Sequence, residues 1–284
     1  MEQEDRYFEV ALNLVKQAGS LVREAYSQPR NVSVETKASD VDLVTETDKK
    51  VEQLLFRGLK AEFSDHRFIG EESMSDGDVP ILLTDAPTWI VDPIDGTTNF
   101  VHRLPFIGIC VGLTIGKELR IGIIYNPILE ELYTARKGQG AYKNGFRIYA
   151  NDTTELKRSV VMTSMGIHNI SVCGAGVTRV HLANIEMMVQ RGIRGHRSFG
   201  SAALNMCYVA QGAIDLYVEY GIHCWDIAAA AVICQEAGAC VVDPTGGPLQ
   251  LMNRRVLCTS TTALAQTVAE SLTHVDYAPE GKLV

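Results

Sequence analysis

The first sixty-odd residues carry two stretches of helical periodicity. Phe8, Ala11, Leu12, Val15, Ala18, Val22 and Ala25 recur at three- and four-residue intervals, which predicts an amphipathic helix over residues 5–27, stopped by Pro29. A second helix is predicted from about Thr45 to Phe63, with Val51, Leu54, Leu55 and Leu59 inward. Thr45 and Asp48 at its start resemble a capping box, with Asp standing where Glu or Gln is usual. From Arg67 the period shortens. RFIG, WIVD, IGICVGLTIG, LRIGIIYNP and ELYTAR are rich in β-branched and aromatic residues between turn signals and read as strands, and Asn144-Gly145 marks a hairpin.

The second half alternates. SVVMT, GIRGHRS, AIDLYVE and ACVVD read as strands, whereas HLANIEMMVQ, SAALNMCYVAQG and WDIAAAAVICQEAG read as helices. A last helix from about Thr262 to Leu272 precedes a polar tail over 273–284. Such alternation implies sheets covered by helices, an α/β or α+β layered architecture. With no linker, repeat or low-complexity segment, the expectation is one domain over residues 1–284, with pseudo-halves at about 1–150 and 151–272.

Composition narrows the function classes. At 284 residues, 46% hydrophobic and 21% charged, the chain has enough apolar material for a sizeable core. Its net charge of −8 is the wrong sign for a general nucleic-acid or anionic-membrane binder. A phosphate-bearing ligand would need either a local basic pocket or a metal ion. The 7 cysteines form no CxxC pair and sit mostly in apolar runs, as reduced structural thiols do. The acidic start MEQEDRYFEV lacks the apolar stretch of a secretory signal, and no apolar run reaches the roughly 20 residues of a membrane span. A cytoplasmic location is expected.

Three segments carry candidate chemistry: Gly70-Glu71-Glu72-Ser73, then Trp89 to Thr98 (WIVDPIDGTT), then Cys224-Trp225-Asp226 at the head of an Ala-rich helix. In the second, Pro93 cannot continue a ladder, so a turn is expected that brings Asp92, Asp95 and the Ile94 carbonyl towards one point. Gly96-Thr97-Thr98 then reads as a helix start, whose N–H groups suit an anion. Hard oxygen ligands beside an anion cradle are what Mg²⁺ with a phosphate requires. Taken alone, the DxxDGT fragment reads equally as a strand-to-turn corner. Glu71-Glu72 alone reads as a solvated face, and Asp226 alone as a helix-start carboxylate. Their common placement at strand ends and helix starts is what favours a site.

Together, GEES, WIVDPIDGTTNFVH and GIHCWDIAAA resemble the inositol monophosphatase family, with both family blocks in the expected order. The similarity runs from about residue 5 to 272 and includes YTARKGQGAYKNG, GSAALNMCYVAQG and DPTGGPL. The resemblance implies an α+β fold of alternating α-β-α-β-α layers, of the inositol monophosphatase and fructose bisphosphatase type. It also implies a lithium-sensitive homodimer and Mg²⁺-dependent hydrolysis of inositol monophosphate, with two or three ions per active site. By position, Glu71, Asp92 and the Ile94 carbonyl would hold the first metal. Asp92 would bridge to a second, held also by Asp95 and Asp226, and Glu71 would help hold a third. Thr97 and Asp48 would accept the proton of the attacking water, and the Gly96 and Thr97 N–H groups would hold phosphate oxygens. The polyol would meet Ala202, within Gly200-Ser201-Ala202, together with Glu219 and Asp95.

Without the resemblance, Gly200-Ser201-Ala202 reads as a plain helix cap and Glu219 as a surface residue at a strand end. One departure bears on specificity. Ile167, within the long stretch MTSMGIHNISVCGAG, stands where the family pattern has a serine near the substrate, implying a shifted or broadened preference. Lys37 matches a family lysine near the metals but reads as solvated in VETKASD. The alternatives are a broader sugar-phosphate or bisphosphate phosphatase of the same superfamily, or a non-catalytic metal-binding homologue. Glu219 beside GIHCWD argues for the monophosphatase branch.

Overall fold

A computed structural model describes residues 2–28, 34–36, 43–75, 81–167, 174 and 176–283; Lys37 and residues 168–173 of the long stretch lie outside this set. The two N-terminal helices form as the periodicity predicts: α1 spans Glu2–Ser27 and α2 spans Glu46–Glu62. At the head of α2 the capping box is complete, since the Thr45 N–H donates to Asp48 and the Asp48 N–H to Thr45 Oγ1. The shorter Asp side chain therefore suffices there.

A seven-stranded sheet comprises, in spatial order, β10 (Phe146–Ile148), β9 (Gly140–Lys143), β8 (Glu131–Arg136), β7 (Glu118–Asn126), β6 (Gly108–Ile115), β5 (Thr88–Asp95) and β3 (Arg67–Gly70). Its neighbours are antiparallel except for β3 and β5. A five-stranded sheet follows the order β12 (Gly195–Arg197), β11 (Val160–Thr163), β13 (Leu216–Tyr220), β15 (Arg255–Thr259), β14 (Cys240–Val242). Two short ladders pair β1 (Val34–Thr36) with β2 (Leu43–Thr45), and β4 (Leu82–Leu83) with β16 (Lys282–Leu283). The remaining α-helices among the described residues are α3 (Glu71–Ser75), α4 (Thr97–His102), α5 (Gly176–Gln190), α6 (Ala202–Ala210), α7 (Cys224–Glu236) and α8 (Thr262–Ala269).

Strand alternation sorts side chains into layers, because successive residues face opposite sides. Trp89, Val91, Ile109, Val111, Ile121 and Ile123 pack against α1 and α2. Their neighbours Ile90, Cys110 and Ile124 face α6 and α7 instead. In the second sheet Met162, Tyr217 and Cys258 turn towards those same helices, whereas Val161, Leu216, Val218 and Leu257 turn outward to Met188 of α5 and Leu264 of α8. The result is α-β-α-β-α. The Ala-rich sequence of α7 has a steric reason. A Cβ at Gly122 of β7 would lie 2.2 Å from the Ala229 carbonyl oxygen, so helix and sheet approach at backbone distance.

Two expectations need correction. Pro93 does not turn the chain out of its strand: β5 runs on to Asp95, and the register with β6 shifts between Asp92 and Asp95. The missing proline N–H falls in that irregular stretch, where no ladder bond is needed. The final helix ends at Ala269 rather than about Leu272. Beyond it, Val275 and Tyr277 of the polar tail pack on the outer core, and Glu280 is buried. Strand β15 and helix α3 carry no signal strong enough to read from sequence.

Candidate active site

The end of β5 and the first turns of α3, α4, α6 and α7 converge. Carboxylate oxygens of Asp92, Asp95 and Asp226 lie within 4.8 Å of one another. Glu71, the first residue of α3, lies against Asp92, and its charge acts on that carboxylate. Asp92 also accepts the Ile94 N–H at 3.0 Å, which folds its carboxylate back over the irregular stretch of β5. Asp226 sits at the third position of α7 and accepts the His223 N–H at 2.8 Å, so its own helix start holds it in place.

Three of these carboxylates, Asp92, Asp95 and Asp226, resist ionisation. Burial, followed by the charges of Glu71, Asp95 and Asp226, pushes Asp92 well above the usual carboxylate range. Asp226 is pushed up by burial and then by Asp95. Asp95 rises only to about 6, because hydrogen bonds from Ser201, Ala203 and Ala202 oppose its burial. The charges of Glu71, Asp95 and Asp226 on Asp92 are all of one sign. An all-oxygen, anionic donor set of this kind is the chemistry that a hard divalent cation relieves, so the residues fit a metal.

Asp95 has a second engagement. It accepts Ser201 Oγ at 2.5 Å, the Ala203 N–H at 2.7 Å and the Ala202 N–H at 3.3 Å, closing the head of α6. Ser201 is the helix cap, its hydroxyl also accepting the Leu204 N–H at 3.2 Å. Both readings of Gly200-Ser201-Ala202 therefore meet: it is a cap, and the cap adjoins the carboxylates. Gly200 is fixed beside Asn99, whose amide donates to the Phe199 and Phe106 carbonyls.

Thr97 opens α4 behind Gly96, which holds a left-handed conformation at φ 92°. Its hydroxyl lies 3.2 Å from Asp48 Oδ1 and 3.1 Å from the Ile94 carbonyl, so the expected Thr97–Asp48 pair forms across 49 residues of sequence. The same Ile94 carbonyl faces this hydroxyl. Glu219, on β13, is buried rather than exposed at a strand end. Burial raises it to about 7, against hydrogen bonds from Tyr217 and Ser164. Ile167 is 54% exposed and offers no polar atom.

Sequence reading missed Glu52. Its carboxylate accepts the Glu72 and Ser73 N–H groups, each at 2.8 Å, and so caps the helix that begins at Glu71. A Cβ at Gly70 would stand 2.5 Å from Glu52 Oε2, so the glycine makes room for the cap. The available signal was an acidic residue next to Val51 on the inward side of α2, one turn after Asp48. Glu280 was also missed. It pairs with His223 Nδ1 and accepts the Cys224 N–H at 2.9 Å, from a tail that looked merely polar.

The geometry has counterparts. A model of the inositol monophosphatase family matches residues 3–276. Bovine inositol monophosphatase 1 is 45% identical over 262 residues, covering 92% of each chain. Rat inositol monophosphatase 2 is 43% identical over 273 residues, covering 96% of this chain and 92% of its own. Among solved structures, the extragenic suppressor protein suhB of Bartonella henselae superposes with a TM-score of 0.82 at 29% identity, over 93% of this chain and 97% of that one. The Thermotoga maritima IMPase does so at 0.78 and 29%, over 96% and 100%. With this carboxylate cluster, this layering and these relatives, the chain belongs to the inositol monophosphatase family.

Proposed function

We propose that this phosphatase releases inorganic phosphate from inositol monophosphate, with Mg²⁺ held by Asp92, Asp95, Asp226, Glu71 and the Ile94 carbonyl. The observation that carries the reading is the convergence of Asp92, Asp95 and Asp226 within 4.8 Å, with the charge of Glu71 acting on Asp92. When bound, Mg²⁺ supplies an acidified water and neutralises charge on the phosphate and the leaving oxygen. The chain's own residues do the rest. The Thr97 hydroxyl, 3.2 Å from Asp48, takes up the water's proton and passes it towards that carboxylate. The Gly96 and Thr97 N–H groups hold phosphate oxygens at the head of α4. Ala202, at the cap formed by Gly200 and Ser201, orients the polyol together with Asp95 and Glu219. The direct attack of water leaves no role for a covalent phosphoenzyme.

Residues 1–284 act as one phosphatase domain in this reading, which the central helices support: α6 and α7 cover faces of both sheets, so neither half closes its core alone. A homodimer, lithium sensitivity and a cytoplasmic location extend the proposal on the strength of the sequence resemblance. No helix among the described residues is long and apolar enough to cross a membrane. The test is phosphate release from inositol 1-phosphate and a panel of sugar phosphates and bisphosphates, with and without Mg²⁺. Inositol 1-phosphate should lead the panel only when Mg²⁺ is present. A bisphosphate or sugar phosphate in first place would overturn the substrate, and metal-independent release would overturn the mechanism.

A further inference from the structure

Position 167 lacks a polar side chain, yet the neighbouring backbone is held with care. Thr163 Oγ1, at the end of β11, meets His196 Nε2 at 2.6 Å. The backbone of Ser164 hydrogen-bonds the buried imidazole of His181, and Gly166 packs against the same ring. Ser164 is thereby fixed while Met165 and Ile167 stay exposed. The Ser164 hydroxyl accepts the Gly166 N–H at 3.3 Å and lies against Glu219, whose pKa it acts to lower. From the other side Tyr217, two residues before Glu219 and on the same face of β13, donates its hydroxyl to Glu219 Oε2. Tyr217 is fully buried, and burial pushes its phenol well above the ordinary value, so it remains a donor at every working pH.

We propose that Ser164 and Tyr217 are positioning residues that clamp the Glu219 carboxylate from two sides and aim its remaining lone pairs at a hydroxyl of the polyol. This rests on the reading of Glu219 as a polyol contact. A carboxylate has about four acceptor sites, and two hydroxyl donors leave capacity for a substrate O–H. A rigid buried acceptor also discriminates, because a substrate lacking the hydroxyl leaves it unpaired. Selectivity for a hydroxyl-bearing phosphomonoester then resides in Ser164, Tyr217 and Glu219, independently of the side chain at 167.

The experiment compares kinetics on inositol 1-phosphate and on phenyl phosphate, which carries no hydroxyl. Ser164→Ala and Tyr217→Phe should each raise KM for inositol 1-phosphate about ten-fold with a smaller change in kcat, lowering the kcat/KM ratio between the two substrates. Ser164→Thr, which keeps a hydroxyl, should recover most of that ratio. In a Glu219→Gln background, adding Ser164→Ala should lower the ratio no further. Equal losses on both substrates would reveal a scaffold role and overturn the proposal, as would a ratio within two-fold of wild type. A wild-type chain active on phenyl phosphate but not on inositol 1-phosphate would sink the substrate reading together with this one. A wild type active on both, with unaltered ratios in the variants, would sink this one alone.

Discussion

Asp48 and Glu52 stand one turn apart on α2 and reach two different walls of the site. Asp48 lies 3.2 Å from the Thr97 hydroxyl, whereas Glu52 takes the N–H groups of Glu72 and Ser73 at 2.8 Å each. A helix is stiff over one turn, so the spacing between the Thr97 pair and the helix start that bears Glu71 is set by a single rigid element. Sites built on such elements hold their geometry better than sites on loops.

Glu52→Ala should therefore act at a distance. It leaves two helix-start N–H groups without their acceptor, which costs about 2 kcal/mol of stability by the usual worth of hydrogen bonds to a charged group. It should also free α3 to shift Glu71, weakening Mg²⁺ binding measured by calorimetry as well as Mg²⁺ activation. Gly70→Ala, whose new methyl would press on the Glu52 carboxylate, should reproduce the metal defect. Unchanged Mg²⁺ affinity in both variants would show that Glu52 serves α3 alone.

Asp92→Asn should separate function from stability. The carboxylate is buried and opposed by Glu71, Asp95 and Asp226, so neutralising it relieves like-charge repulsion in the metal-free chain. The asparagine oxygen can still accept the Ile94 N–H. The metal-free variant should melt at or above the wild-type temperature while phosphate release falls by roughly three orders of magnitude. A variant that keeps most of its activity would remove Asp92 from the mechanism.

The fold was legible where period and composition agree. Helices α1 and α2 and the strands from RFIG to ELYTAR follow their apolar spacing, since burial on one face is what that spacing encodes. The clustering of Asp92, Asp95 and Asp226 was legible because they sit at strand ends and helix starts. Other features depend on distant partners. Pro93 stays in its strand because β6 shifts register beside it, and no local signal announces that shift. Glu52, Ser164 and Glu280 are single polar residues whose partners lie in other elements, so their meaning appears only in three dimensions.

Glu219 gives a pH signature. Burial raises it to about 7, whereas an unfolded chain holds a Glu near 4.3. Its folded form binds a proton that the unfolded form has released, so stability is greatest below the lower value and is lost as pH rises through the upper one. In chelator-treated protein, the unfolding free energy should fall between pH 4.5 and 7, more steeply in wild type than in Glu219→Gln. Urea titrations at several pH values measure the difference between the two slopes. Parallel slopes would contradict the raised value.

The C-terminal segment braces the head of α7. Glu280 pairs with His223 Nδ1 and accepts the Cys224 N–H at 2.9 Å, at the head of the helix whose third residue is Asp226. Its N–H donates to the Met252 carbonyl at 2.7 Å, and β16 then pairs with β4. Although burial acts to raise Glu280, the hydrogen bond and charge of His223, the Cys224 N–H and Arg254 together hold it below the usual range. The sign is thus opposite to that of Glu219. Its contribution is present above the unfolded Glu value and is lost as pH falls through the lowered folded one. Glu280→Ala should cost about 2 kcal/mol near neutrality, and the deficit should shrink in acid as the wild-type carboxylate protonates. Because His223 also donates its N–H to Asp226, the variant should loosen the first turn of α7. Hydrogen exchange at the amides of residues 223 to 226 reads that loosening directly. Faster exchange there, with the rest of α7 unchanged, is the expected result; uniform exchange across α7 would mean that the tail steadies the whole helix rather than the turn that carries Asp226.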